Sequence, residues 1–119
     1  RKGPPMADLH LPKTTRDLVD RRHALAPATE DAFRAFSKAV FAEGALDTRT
    51  KQLIAVAVAH VTQCPWCIEG HVKAAKREGA SGEQIMEAIW VASEMRAGAA
   101  WAHALKAVEM IGDTGQPDS

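Results

Sequence analysis

From Thr14 onward, apolar positions recur every three or four residues, and no segment keeps the strict alternation of a half-buried strand. This pattern predicts an all-α chain of about five to six helices. A first short helix is expected over residues 14–25, ending ahead of Pro27, because proline disfavours helical geometry in the residue before it. A second is expected from about Thr29 to Glu43, where Phe33, Phe36, Val40 and Phe41 recur at helical spacing and so read as core. Gly44 then stops it. Asp47 or Thr48 can cap a third helix, whose wide apolar face of Leu53, Ile54, Ala57, Val58 and Val61 predicts that it is largely buried.

Pro65 limits that third helix. Inside a helix its ring would meet the carbonyl of Val61, whereas at the first helical position its missing N–H costs nothing. The break therefore falls at about Thr62 to Cys64, and a fourth helix is expected from Pro65 to Glu78, closed by Gly79. Ser81-Gly82-Glu83-Gln84 matches a capping box and opens a fifth helix with Ile85, Ile89 and Ala92 on one face. RAGAAWAHALKAVEMI continues as helix, with a kink expected near Gly98, a stripe of Trp101, Leu105 and Val108, and small residues that let neighbouring helices approach. The pattern thus marks one helical domain over residues 14–112. A poorly ordered extension, 1–13, precedes it, and a frayed polar tail, 113–119, comes after it. Met6 can serve as the native start, with RKGPP upstream of it.

Composition narrows the classes. The 119 residues are 46% hydrophobic and 25% charged with zero formal net charge, as in an ordinary globular protein. Nothing in that balance calls for nucleic acid or an anionic membrane. No run of 18 apolar residues occurs, and RKGPPMADLH lacks the apolar centre of a secretory leader, so a cytoplasmic location is the default expectation.

The chemistry concentrates in QCPWCIEGH, residues 63–71. The chain has two cysteines, Cys64 and Cys67, too few and too close for the disulfide framework of a secreted domain. With Pro65 opening a helix, Cys64 falls at its cap and Cys67 in its first turn, where unpaired N–H groups and the helix dipole favour an anionic sulfur. One helical turn separates their Cα atoms by about 5 Å, within the reach of a disulfide. His71 lies one turn beyond Cys67 on the same face, placed to accept a thiol proton or to hold a thiolate.

Two other readings remain open on these residues. His60, Cys64, Cys67 and His71 carry the donor types of a zinc site, although four ligands on one straight helix cannot surround an ion tetrahedrally. The pair can also be buried and inert.

The stretch LDTRTKQLIAVAVAHVTQCPWCIEGHVKAAKREGAS, residues 46–81, resembles the AhpD-like alkylhydroperoxidases of the carboxymuconolactone decarboxylase superfamily, and EQIMEAIWVASEMRAGAAWAHA extends the likeness. The resemblance implies an all-helical, homo-oligomeric protein, a trimer or hexamer, with peroxidase activity carried by the cysteine pair; no cofactor is expected, because the cysteines carry the electrons. It implies that Cys67 is the peroxidatic cysteine, Cys64 the one that resolves it, and His71 the residue that supports proton transfer. The implied partners are a hydroperoxide substrate and an external dithiol reductant.

Two departures stand out. The family's relay uses a glutamate twelve residues before the first cysteine, and here Gln52 holds that place, able to orient a neighbour but not to carry a proton. His60 shares a face with Gln52 and Val56, so it is a candidate for the relay, against the plainer reading of a satisfied, partly buried histidine. Trp66 stands where AhpD has a histidine. The superfamily's lactone decarboxylation does not use a dithiol, so the pair argues against that reaction. Glu69, Glu78 and Glu94 read as a solvated face, while Trp101 and His103 either approach the site from the last helix or pack. Two other functions stand beside peroxide reduction: a disulfide oxidoreductase acting on a protein through the same cysteines, and a non-catalytic metal-binding or assembly protein.

Overall fold

The computed structural model of the protein describes residues 10–113. Most of the expected extension, residues 1–9, and the tail after residue 113 lie outside the described residues. The chain is all-α, with five helices in the order α1 (Arg16–Leu25), α2 (Pro27–Phe41), α3 (Thr48–Thr62), α4 (Pro65–Arg77) and α5 (Gly82–Ile111). Among the described residues no helix is long and apolar enough to cross a membrane.

The chain divides into two compact units, meeting in sequence between Val40 and Phe41. In the first, the Thr15 hydroxyl accepts the Leu18 N–H and so caps α1. Pro27 opens α2 two residues earlier than the periodicity predicts, because its fixed φ already suits a first helical turn. Arg22 pairs with Glu30 at 2.9 Å and His23 with Asp31 at 2.8 Å, tying the two helices together. No residue of α1 or α2 is buried, which corrects the expectation that Phe33, Phe36 and Val40 form core. Phe33 and Phe36 are each 65% exposed. Helical spacing identifies an apolar face but not whether the same chain covers it.

The second unit is built on α3, which packs against both α4 and α5. Its core joins Val56 of α3, Ala75 of α4, Ala80 and Ile85, with Leu53, Val72 and Ile89 packed around them. Val56 is fully buried, a placement that contributes about 1.5–3 kcal/mol over leaving such a side chain in water. The buried stripe of α3 is Val56 and Ala59, whereas Ile54, Val58 and Val61 are exposed, so the wide apolar face is only partly used within the chain. The expectation for α5 holds at its start: Ile85 and Ala92 are buried and Ile89 is half-buried. Alanines at 59, 75, 80 and 92 are all buried, and their small side chains let the backbones approach closely.

Helix ends obey the local code. Asp47 caps α3 through a 2.7 Å bond from the Thr50 N–H, and the Ser81–Gln84 capping box forms in full. Gly79, at φ +88°, closes α4 in a Schellman turn, with the Ala80 N–H on Ala75 O and the Gly79 N–H on Lys76 O. The kink expected at Gly98 does not appear as a break. α5 runs unbroken for 30 residues, since an internal glycine weakens a helix without removing a hydrogen bond. At 1.5 Å per residue α5 spans about 45 Å, twice the length of α3. Every described residue from Ala99 onward is exposed, including Trp101 at 82%.

Candidate active site

The turn between α3 and α4 sets the cysteines. Gln63 takes the left-handed conformation, φ 56° and ψ 48°, and the Cys64 N–H closes back on Ala59 O at 3.1 Å. Pro65 then begins α4 at once, so Cys64 ends one helix and caps the next. Its sulfur accepts the Cys67 N–H at 3.2 Å, filling the role that a serine or aspartate oxygen plays at other helix starts. From α5, Arg96 donates to Val61 O at 2.6 Å and pins the last turn of α3 beside this junction. Periodicity gave no sign of that contact.

Cys64 and Cys67 form a disulfide, with Cα atoms 5.2 Å apart, as one helical turn requires. Both residues are half-buried, neither sealed in the core nor fully open to solvent. The break expected at Thr62 to Cys64 is thus present, and the sulfurs lie at the positive end of a 13-residue helix.

His71, one turn beyond Cys67 on α4, is held by α3. Its Nδ1 lies 2.8 Å from Gln52 Oε1. An amide oxygen can only accept, so Nδ1 carries the proton and Nε2 keeps a lone pair. Gln52 therefore supplies the acceptor that a glutamate would supply, without its charge. Phe41 stacks on the ring with centroids 5.2 Å apart and planes inclined by 25°. The sequence signal for Phe41 was an apolar residue at helical spacing, which says nothing about a histidine partner.

His60 is placed differently. Its Nδ1 donates to Val56 O, one turn back on its own helix, at 2.7 Å. That bond satisfies Nδ1 of the half-buried ring and engages neither Gln52, His71 nor either sulfur. His103 likewise bonds Ala99 O on its own helix at 2.6 Å, and both it and Trp101 are exposed. Glu69 pairs with Lys73 at 2.9 Å, and Glu78 accepts from the Thr48 hydroxyl at 2.9 Å. Both carboxylates are exposed, as a solvated face predicts. Among the described residues, no three His, Cys, Asp or Glu side chains are grouped so as to hold a metal ion. Trp66, between the cysteines, is 44% exposed and borders the disulfide in sequence and on the helix start.

Known proteins resemble this chain over most of its length. It is 69% identical over 106 residues to "uncharacterized protein 4 in cox locus" of Paracoccus denitrificans, covering 89% of this chain and 95% of that one. Among solved structures it resembles a carboxymuconolactone decarboxylase family protein of Legionella pneumophila, at 29% identity and a TM-score of 0.65, covering 84% of this chain and 89% of that one. It also resembles a protein of that family from Thermotoga maritima for which a part in the antioxidative response has been suggested. There the identity is 27% and the TM-score 0.54, over 85% of this chain and 99% of the other. The model of the carboxymuconolactone decarboxylase family matches residues 27–110, which include both cysteines, Gln52, His71 and Phe41. The chain belongs to the carboxymuconolactone decarboxylase family, in its AhpD-like form.

Proposed function

We propose that this protein is a thiol-dependent peroxidase that reduces hydroperoxides through Cys64 and Cys67. The observation that carries the reading is the disulfide at the start of α4, one turn from a histidine whose Nε2 is left free to accept a proton. In the reduced protein, the helix N-terminus favours the sulfur anion and His71 takes the Cys67 proton. The Cys67 thiolate attacks one oxygen of ROOH, the O–O bond breaks, and the alkoxide leaves with a proton as ROH. Cys67 becomes a sulfenic acid. The Cys64 thiol then displaces water from it, giving the disulfide seen here. An external dithiol restores both thiols and is itself oxidised.

Three finer points belong to the same proposal. The resetting step suits a reducing compartment, so we place the protein in the cytoplasm. The exposed Trp90, Trp101, Leu105 and Val108 of α5 support a homo-oligomer, and its trimeric or hexameric form is what the family resemblance implies. His60 remains a candidate relay through its Nε2. A His60→Gln variant with undiminished turnover removes it from the mechanism.

The test is peroxide consumption with a dithiol donor in wild type, Cys67→Ser and Cys64→Ser. Turnover by wild type, lost in Cys67→Ser and slowed in Cys64→Ser, where the donor must meet the sulfenic acid without a resolving thiol, supports the proposal. Equal rates in wild type and Cys67→Ser overturn it. Reduction of a protein disulfide without any peroxide consumption would assign these cysteines to thiol–disulfide exchange instead.

A further inference from the structure

His71 is held at two points of different character. The Gln52 oxygen fixes one edge of the ring through Nδ1, and a ring held by a single hydrogen bond can still tilt about that bond. The flat side chain of Phe41 lies against the imidazole face at 5.2 Å and 25°, within the range of an offset stack. Phe41 and His71 are both half-buried. The other phenylalanines of α2 are used differently: Phe33 and Phe36 tilt against each other at 45° and 6.5 Å and remain largely exposed. Phe41 has no role in the bond-making steps proposed above.

We infer that Phe41 is a positioning residue, whose ring fixes the plane of His71 so that the Nδ1 bond to Gln52 and the stack together set the direction of Nε2. Two constraints, one on an edge and one on a face, define the ring where either one leaves it a freedom. The Gln52 bond occupies Nδ1, so proton exchange takes place at Nε2, and the stack sets the plane in which that nitrogen lies. The catalytic consequence rests on the proposed peroxidase reading, whereas the geometric claim does not.

The experiment compares wild type with Phe41→Leu and Phe41→Tyr. Leucine keeps an apolar side chain of similar reach but offers no ring, and tyrosine keeps the ring. Two readouts are needed. The first is the single-turnover rate of reduced protein with hydrogen peroxide. The second is the NMR spectrum of the His71 ring protons, which feel the ring current of a stacked neighbour whether or not the protein reacts. Circular dichroism melts confirm that each variant is folded.

The expected result is a rate about threefold to tenfold lower in Phe41→Leu, a loss on the scale of one aromatic pair, with Phe41→Tyr near wild type. The His71 protons should lose their ring-current displacement in the leucine variant and keep it in the tyrosine variant. An unchanged rate in folded Phe41→Leu, or an equal loss in both variants, overturns the positioning role. If wild type itself consumes no peroxide, the peroxidase reading falls. The NMR comparison then decides the stack alone, and unchanged His71 signals in Phe41→Leu would refute it.

Discussion

Gln52 of α3 and His71 of α4, nineteen residues apart, meet in a 2.8 Å hydrogen bond that fixes the imidazole with its proton on Nδ1. The bond orients the ring, and the neutral amide places no charge on the histidine at that edge. A carboxylate at the same place would accept the same bond and also favour the imidazolium. In Gln52→Glu, the histidine titration followed by NMR should therefore move to higher pH. On the proposed mechanism, in which Nε2 takes the thiol proton, the acidic limb of peroxide turnover should move with it. An unmoved titration would show that residue 52 does not engage the ring.

Gln63 carries the left-handed turn that sets Cys64 between two helices. An L side chain is strained there and glycine is not, although glycine gives up more chain entropy on folding. Gln63→Gly should be more stable than wild type by about 0.5–1 kcal/mol in urea unfolding. A β-branched Gln63→Val should be less stable and should slow disulfide closure, because it works against the turn itself. The ordering Gly, Gln, Val in midpoint denaturant concentration is the check.

Asp47, at the start of α3, is held below the ordinary carboxylate range, chiefly by the hydrogen bond from the Thr50 backbone N–H and then by the Thr50 hydroxyl. A carboxyl held low in the folded state adds stability that is complete above its unfolded value. That stability is lost as pH falls through the folded one. Asp47→Asn should thus be less stable than wild type at neutral pH, and the gap should narrow below about pH 4. A gap independent of pH would mean that the charge contributes nothing to the cap.

Trp101, Leu105 and Val108 lie at i, i+4 and i+7 on the exposed half of α5. A charge in that stripe is tolerated by a solvated helix but not by a packed one. In the proposed homo-oligomer, Trp101→Glu should reduce the mass measured by light scattering toward that of one chain while leaving the helical signal intact. An unchanged mass would remove this stripe from any assembly surface.

The punctuation of the fold was legible in the sequence. Pro65 dictates where α3 must stop, and Ser81 with Gln84 marks the start of α5, because each signal acts within four residues. The burial of α3 was less legible. Its apolar residues surround most of the helix, and only the placement of α4 and α5 selects Val56 and Ala59 over Ile54 and Val58. The cysteine turn is set by spacing alone, whereas the pairing of Gln52 with His71 depends on how two helices cross. Resemblance named both residues, but periodicity could not have joined them. Phe41 and Arg96 were missed for the same reason: a stacked ring and a guanidinium on Val61 O leave no periodic trace.

The account depends most on Cys67 being the sulfur that meets peroxide. The direct measurement is mass spectrometry of Cys64→Ser, reduced, treated with one equivalent of hydrogen peroxide and trapped with a sulfenic-acid reagent. The account predicts labelled Cys67 in that variant, no label on Cys64 in Cys67→Ser, and an unlabelled disulfide in wild type. A Cys67 that stays a free thiol in Cys64→Ser, or label on Cys64 in Cys67→Ser, would contradict it.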